Sequence, residues 1–119
     1  EERTATWTSI LKEFSTGSID YTGLDEFRAI GWQRQLHLFE VPFYYIEYGI
    51  AQLGAIGMWM QYQQNPTAAL ENYMNALALG GTKTLPELYK TAGIEFNFSP
   101  DYVKKLMDFT NMQLEKLYV

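Results

Sequence analysis

The residues best suited to chemistry lie in one short run, Pro42-Phe43-Tyr44-Tyr45-Ile46-Glu47-Tyr48, with four aromatic residues in six positions. At about 100° per residue of a helix, Tyr44, Tyr45, Tyr48 and Gln52 share roughly 100° of arc. Ala51 and Ala55 fall on the same side, and Ile46, Ile50 and Leu53 lie opposite. One face of the expected helix is therefore rich in hydroxyls. A phenol has an ordinary pKa of about 10 and stays protonated at neutral pH. In a dry site it can donate to a developing oxyanion and stabilise a transition state by a few kcal/mol. The same spacing also suits rings packed in a core with hydroxyls at its rim. His37 is the only histidine, and Glu40 follows it at i+3. If a helix continued through Pro42 with only a kink, His37 would project from the hydroxyl face, with Glu40 at its edge.

Several other chemistries are excluded. A His-Glu-x-x-His zinc site needs two imidazoles one helical turn apart plus a third ligand, and one histidine cannot supply them. The absence of cysteine removes thiolate nucleophiles, sulfur-ligated zinc and disulfides, and suits a reducing, cytoplasmic location. No glycine-rich phosphate loop or Gly-x-Ser-x-Gly elbow occurs. With 9 Lys+Arg against 14 Asp+Glu, the formal charge of −5 argues against nucleic acid and against an anionic membrane surface.

The elements that must position these residues are all helical. Apolar residues at Trp7, Ile10, Leu11 and Phe14 mark an amphipathic helix over 4–14. A short helix over 24–30 ends at Gly31, and a third is expected over 32–40. Pro42 lacks an N–H and disfavours helical geometry at Val41, so the chain restarts or kinks there. Residues 43–61 form the most apolar segment. Its 19 positions approach the length of a bilayer span, but Gly49, Gly54 and Gly57, the tyrosines and the lack of basic flanks favour a buried helix in a soluble protein. Each of those glycines costs about 1 kcal/mol relative to Ala in a helix, which close approach of a neighbour would offset. Asn65-Pro66 starts the next helix, which stops at Gly80-Gly81. Thr84 and Glu87 form a capping box, and Gly93 closes that helix. After an extended stretch at 94–98, Ser99-Pro100 opens a last helix with Tyr102, Val103, Leu106, Phe109, Met112, Leu114 and Leu117 on its apolar positions. Seven helical segments without a strand pair make an all-α fold. Residues 42–82 carry only Glu47 and Glu71 as charges and are expected to form the interior.

The stretch Gly31-Trp32-Gln33-Arg34-Gln35-Leu36-His37-Leu38-Phe39-Glu40-Val41-Pro42-Phe43-Tyr44-Tyr45-Ile46-Glu47-Tyr48-Gly49-Ile50-Ala51-Gln52-Leu53-Gly54-Ala55 resembles the C-terminal part of the oligoendopeptidase F group of thimet-type zinc oligopeptidases. The likeness extends through Asn65-Pro66 and the closing helix. It implies that residues 1–119 form one helical piece of a peptidase catalytic domain acting on short peptides. It further implies that His37 and Tyr48 are catalytic, with Tyr48 donating to the tetrahedral oxyanion. Tyr45 matches a second catalytic tyrosine in the thimet-like members, whereas in other oligoendopeptidases that tyrosine falls at Tyr44. Tyr44 and Gln52 are then substrate-binding. The family's zinc motif and third ligand are expected upstream of residue 1, so zinc belongs to the full-length parent, and this piece is expected to bind none and to be inactive alone. Apolar surface left by such a cut is expected to favour self-association through 43–61. The competing class is a non-enzymatic helical module that binds peptides on its hydroxyl face. A His-Glu-x-x-His helix in the upstream reading frame would favour the peptidase, and an unrelated domain or an initiating Met just before Glu1 the module.

Overall fold

A computed structural model describes residues 1–117. The fold is all-α: seven α-helices and two short 3-10 turns, with no strand among the described residues. The chain divides into two units, Glu1–Tyr45 and a second that begins at Ile46.

The first unit contains α1 (Glu2–Glu13), α2 (Asp25–Ala29), a 3-10 turn at Gly31–Arg34 and the single turn α3 (His37–Glu40). Of the apolar positions on α1, Trp7 and Leu11 are half-buried, while Ile10 and Phe14 are exposed. Two indoles tie this unit together. The Trp7 Nε1–H donates to the Arg28 carbonyl at 2.9 Å, and the Trp32 Nε1–H donates to Thr4 Oγ1 at 3.3 Å. The helix expected over 32–40 is broken at Gln35, whose φ of −84° and ψ of 80° place it outside helical geometry. Leu36 N–H donates to the Arg34 carbonyl at 3.1 Å across it, the pattern of an inverse γ-turn.

No kinked helix runs through Pro42 either. Val41 has left helical geometry, with φ −137° and ψ 78°, since a following proline disfavours the α region. Phe43 has φ +66°, and Tyr44 N–H donates to the Val41 carbonyl at 3.1 Å. Proline at the second position and positive φ at the third are the signature of a type II turn. Helix α4 therefore begins at Ile46. Tyr44 and Tyr45 sit on the preceding turn and not on the helical face expected for them.

The second unit contains α4 (Ile46–Gln64), α5 (Pro66–Leu79), a 3-10 turn at Gly80–Thr82, α6 (Leu85–Thr91) and α7 (Pro100–Glu115). Its helix ends follow the sequence signals. The Asn65 side chain accepts from Ala68 N–H at 3.2 Å with Pro66 in the first turn, and Ser99 Oγ accepts from Tyr102 N–H at 3.3 Å. Glu87 Oε2 accepts from the Thr84 N–H at 2.9 Å and from its hydroxyl at 2.7 Å, and these bonds hold the carboxyl below the usual glutamate range. Gly93, at φ +75°, donates to the Lys90 carbonyl while Ile94 N–H donates to that of Tyr89, a Schellman closure.

Helices α5 and α7 pack on α4, and α6 packs on α5. The core is Ile56, Tyr102, Leu106 and Phe109, flanked by Leu53 and Met60, and Trp59 meets the Phe109 ring edge-on at 5.0 Å. The buried line on α7 is Tyr102, Leu106, Phe109 and Gln113, spaced i, i+4, i+7, i+11. Met112, Leu114 and Leu117 flank it and stay exposed. The expectation that 42–82 forms the interior fails for most of the stretch: Phe43, Ile46, Leu70, Met74 and Leu77 are exposed. Helices α4 and α5 are apolar around much of their circumference, and their partners in this unit cover only part of it. No described helix is long and apolar enough to cross a membrane.

Two of the three helix glycines are explained by close neighbours. A Cβ on Gly54 would lie 2.6 Å from the Tyr89 hydroxyl oxygen, and one on Gly57 would touch Ile94 and Tyr102 at 3.4 Å. Nothing lies within 4 Å of a Cβ on Gly49. We therefore expect Gly54→Ala to destabilise the second unit by about 1–2 kcal/mol, because overpacking and displacement of Tyr89 outweigh the gain in helix propensity. Gly49→Ala, free of such a clash, should be neutral or stabilising by up to about 1 kcal/mol. Urea titrations of the two variants check the contrast, and a stabilised Gly54→Ala would refute it.

Candidate functional site

The backbone between Arg34 and Tyr45 is a succession of tight turns: the γ-turn at Gln35, the single turn of α3 and the turn at Pro42-Phe43. Helix α3 is closed by Glu40 N–H donating to the Leu36 carbonyl and Val41 N–H donating to that of His37, both at 3.1 Å. Reversal of the chain at Phe43 then returns the two tyrosines to His37. The Tyr44 ring stacks on the imidazole at a centroid distance of 5.3 Å and 15° between planes. Tyr45 meets it at 5.2 Å and 62°, edge to face. Sequence reasoning expected a shared helical face to join these groups; the structure joins them by a turn.

Tyr45 is held at both ends. Its ring rests against His37, and its hydroxyl donates to the Gln35 side-chain oxygen. Gln35 is thus a positioning residue that the pattern of hydroxyls and titratable groups did not reveal. Its one sequence signal is its place in the Trp-Gln-Arg-Gln-x-His stretch. Both tyrosines touch His37, and both remain more than 40% exposed, at 44% for Tyr44 and 41% for Tyr45. The arrangement gathers an imidazole and two phenols and fixes the rings by mutual packing. Glu40 is exposed on the same short helix.

Tyr48 and Gln52 belong to the second unit. They lie one helical turn apart near the start of α4, so their side chains share a face, and both are exposed, Tyr48 to 53%. The start of α4 is anchored by Tyr89, whose hydroxyl donates to the Ile50 carbonyl at 2.8 Å. The missing side chain of Gly54 admits the Tyr89 ring. Burial pushes the Tyr89 phenol above its ordinary value, with smaller pushes from Tyr102 and Glu47. The group therefore stays protonated and donating well above neutral pH. Tyr89 was also missed from sequence; the costly Gly54 was the signal that a neighbour comes close.

Among the described residues, no three His, Cys, Asp or Glu side chains are grouped so as to hold a metal ion. With one histidine in the whole sequence, the residues present do not fit a catalytic zinc, which takes three protein ligands in such sites.

Comparison with known proteins gives one family. The model of peptidase family M3 matches residues 1–108. No curated protein and no solved structure matches the chain.

Proposed function

Because the chain belongs to peptidase family M3, a family of metallopeptidases, we propose that it is the C-terminal piece of a zinc oligoendopeptidase that cleaves short peptides internally. The observation that carries this reading is the His37–Tyr44–Tyr45 cluster. Residues that the resemblance makes catalytic or substrate-binding are packed on one another by turns, although they are not on one helical face. A strained backbone at Phe43 supports it, since a bulky residue at positive φ persists where the surrounding structure demands it, and such positions gather at functional sites.

In this reading the chain supplies donors and walls, and the metal is held by a segment of the parent that these 119 residues do not include. Tyr48 donates its hydroxyl proton in a hydrogen bond to the oxyanion that forms when water adds to the scissile carbonyl. Its role is charge stabilisation, with no net proton loss. His37 and the second tyrosine, Tyr45 or Tyr44, orient the substrate; Tyr45 adds a donor only by exchanging its bond to Gln35 for one to the substrate. The turn-bound rings hold those groups in place before the substrate arrives, so little ordering is needed at the moment of reaction. Tyr44 and Gln52 contact the peptide.

The purified 119-residue chain is expected to leave a quenched fluorescent oligopeptide intact, with or without added zinc. Cleavage that a chelator abolishes would overturn this. Reading the upstream frame is a second test: a His-Glu-x-x-His helix there supports the peptidase, and an unrelated domain removes it.

A further inference from the structure

Within the first unit, α1, α2 and the 3-10 turn border an open pocket of about 410 Å³. Its polar wall is formed by Tyr21, Arg28, Gln33, Arg34 and Gln35, and Trp7 contributes to the apolar wall. None of the lining residues is acidic, although the chain carries 14 acidic groups against 9 basic ones. Two of those bases border one space, and neither Arg28 nor Arg34 has an ion-pair partner among the described residues. The lining therefore carries two basic residues and no acidic one, a balance that favours an anion in this space.

The wall is built. The Arg28 guanidinium lies 3.9 Å from the centroid of the Tyr21 ring, a stacking that leaves its N–H edge available to a planar acceptor. The Trp7 indole is held by its bond to the Arg28 carbonyl, and Gly31 allows this approach, since a Cβ there would sit 3.3 Å from Trp7 Nε1. An arginine fork matches a carboxylate better than any other common peptide group. The apolar remainder, including Leu24 and Phe27, suits a hydrophobic side chain next to it. Gln35 links this cavity to the aromatic cluster, because it lines the cavity and accepts from the Tyr45 hydroxyl.

We propose that this cavity binds the free carboxylate end of a peptide together with its apolar last side chain, placing that end beside the His37–Tyr45 cluster. The identity of the ligand as a peptide rests on the peptidase reading; the carboxylate chemistry rests on the cavity alone. The test is a titration of the 119-residue chain with N-acetyl-alanyl-leucine, following the Trp7 indole N–H by NMR. A saturable shift is expected, with binding weaker by about tenfold or more for the C-terminal amide, the size of losing a charge-assisted hydrogen bond. Arg34→Gln, at an exposed position that should not unfold the chain, is expected to weaken binding of the acid by a similar factor, and Arg28→Gln likewise. N-acetyl-glutamyl-leucinamide carries only a side-chain carboxylate. Weaker binding than that of the acid supports the chain end as the ligand, and binding as tight as that of the acid overturns it in favour of acidic side chains. Equal binding of acid and amide, or unchanged binding by Arg34→Gln, overturns the proposal. Turnover is not read, so failure here is separable from failure of the peptidase reading.

Discussion

In the full-length peptidase, Tyr48→Phe is expected to lower kcat by about 10²-fold or more while leaving KM within a few-fold of its original value. The substitution removes one oxygen and keeps the ring, so whatever packing the side chain provides is retained. Loss of a single oxyanion donor has that magnitude because the bond strengthens as charge develops on the carbonyl oxygen. The split matters for interpretation. An interaction made mainly in the transition state appears in kcat, whereas one made equally with the ground-state substrate appears in KM. Tyr48 is 53% exposed on the first turn of α4 and the variant keeps its ring, so the melting temperature should change by no more than a degree or two. Full kcat in the variant would leave Tyr48 with a packing role only.

Leu106→Ala is expected to cost the second unit about 2–5 kcal/mol, the range for truncating a buried leucine. Leu106 is wholly buried, at 0% exposure, within the cluster of Ile56, Tyr102 and Phe109. The cluster is small, so little surrounding structure can collapse into the space left behind. Whole domains are stable by only about 5–15 kcal/mol, and the loss should be visible as a large fall in the urea midpoint. Met107, its exposed neighbour on α7, is the control: Met107→Ala should change stability by no more than about 0.5 kcal/mol. Equal effects at 106 and 107 would mean that this cluster is not the core.

The helix ends were legible because they are written within four residues. Asn65-Pro66, Ser99-Pro100, Thr84 with Glu87, and Gly93 all act on neighbouring backbone groups, and each does so in the structure. The hydroxyl face was legible only in part. Helical spacing put Tyr44, Tyr45, Tyr48 and Gln52 together, yet it could not say where the helix began. That boundary was decided by Pro42 and by a positive φ at Phe43, which phenylalanine adopts only at a cost. The burial pattern was the least legible. A nearly uncharged segment reads as interior, but exposure depends on how much surface neighbouring helices can cover, and apolar character alone does not state that.

By itself the sequence determined the all-α class, the capping of the later helices, and the exclusion of a self-contained zinc helix through its single histidine. Its resemblance to a peptidase directs the proposed chemistry to the stretch from Trp32 to Gln52. Tertiary structure alone decided how His37 meets Tyr44 and Tyr45, why Gln35 matters, and which apolar residues form the core. The physical reason is range. Caps and periodicity act over one turn of helix, whereas the bond from Tyr89 to the Ile50 carbonyl spans 39 residues, and its one trace in the sequence is a glycine at position 54.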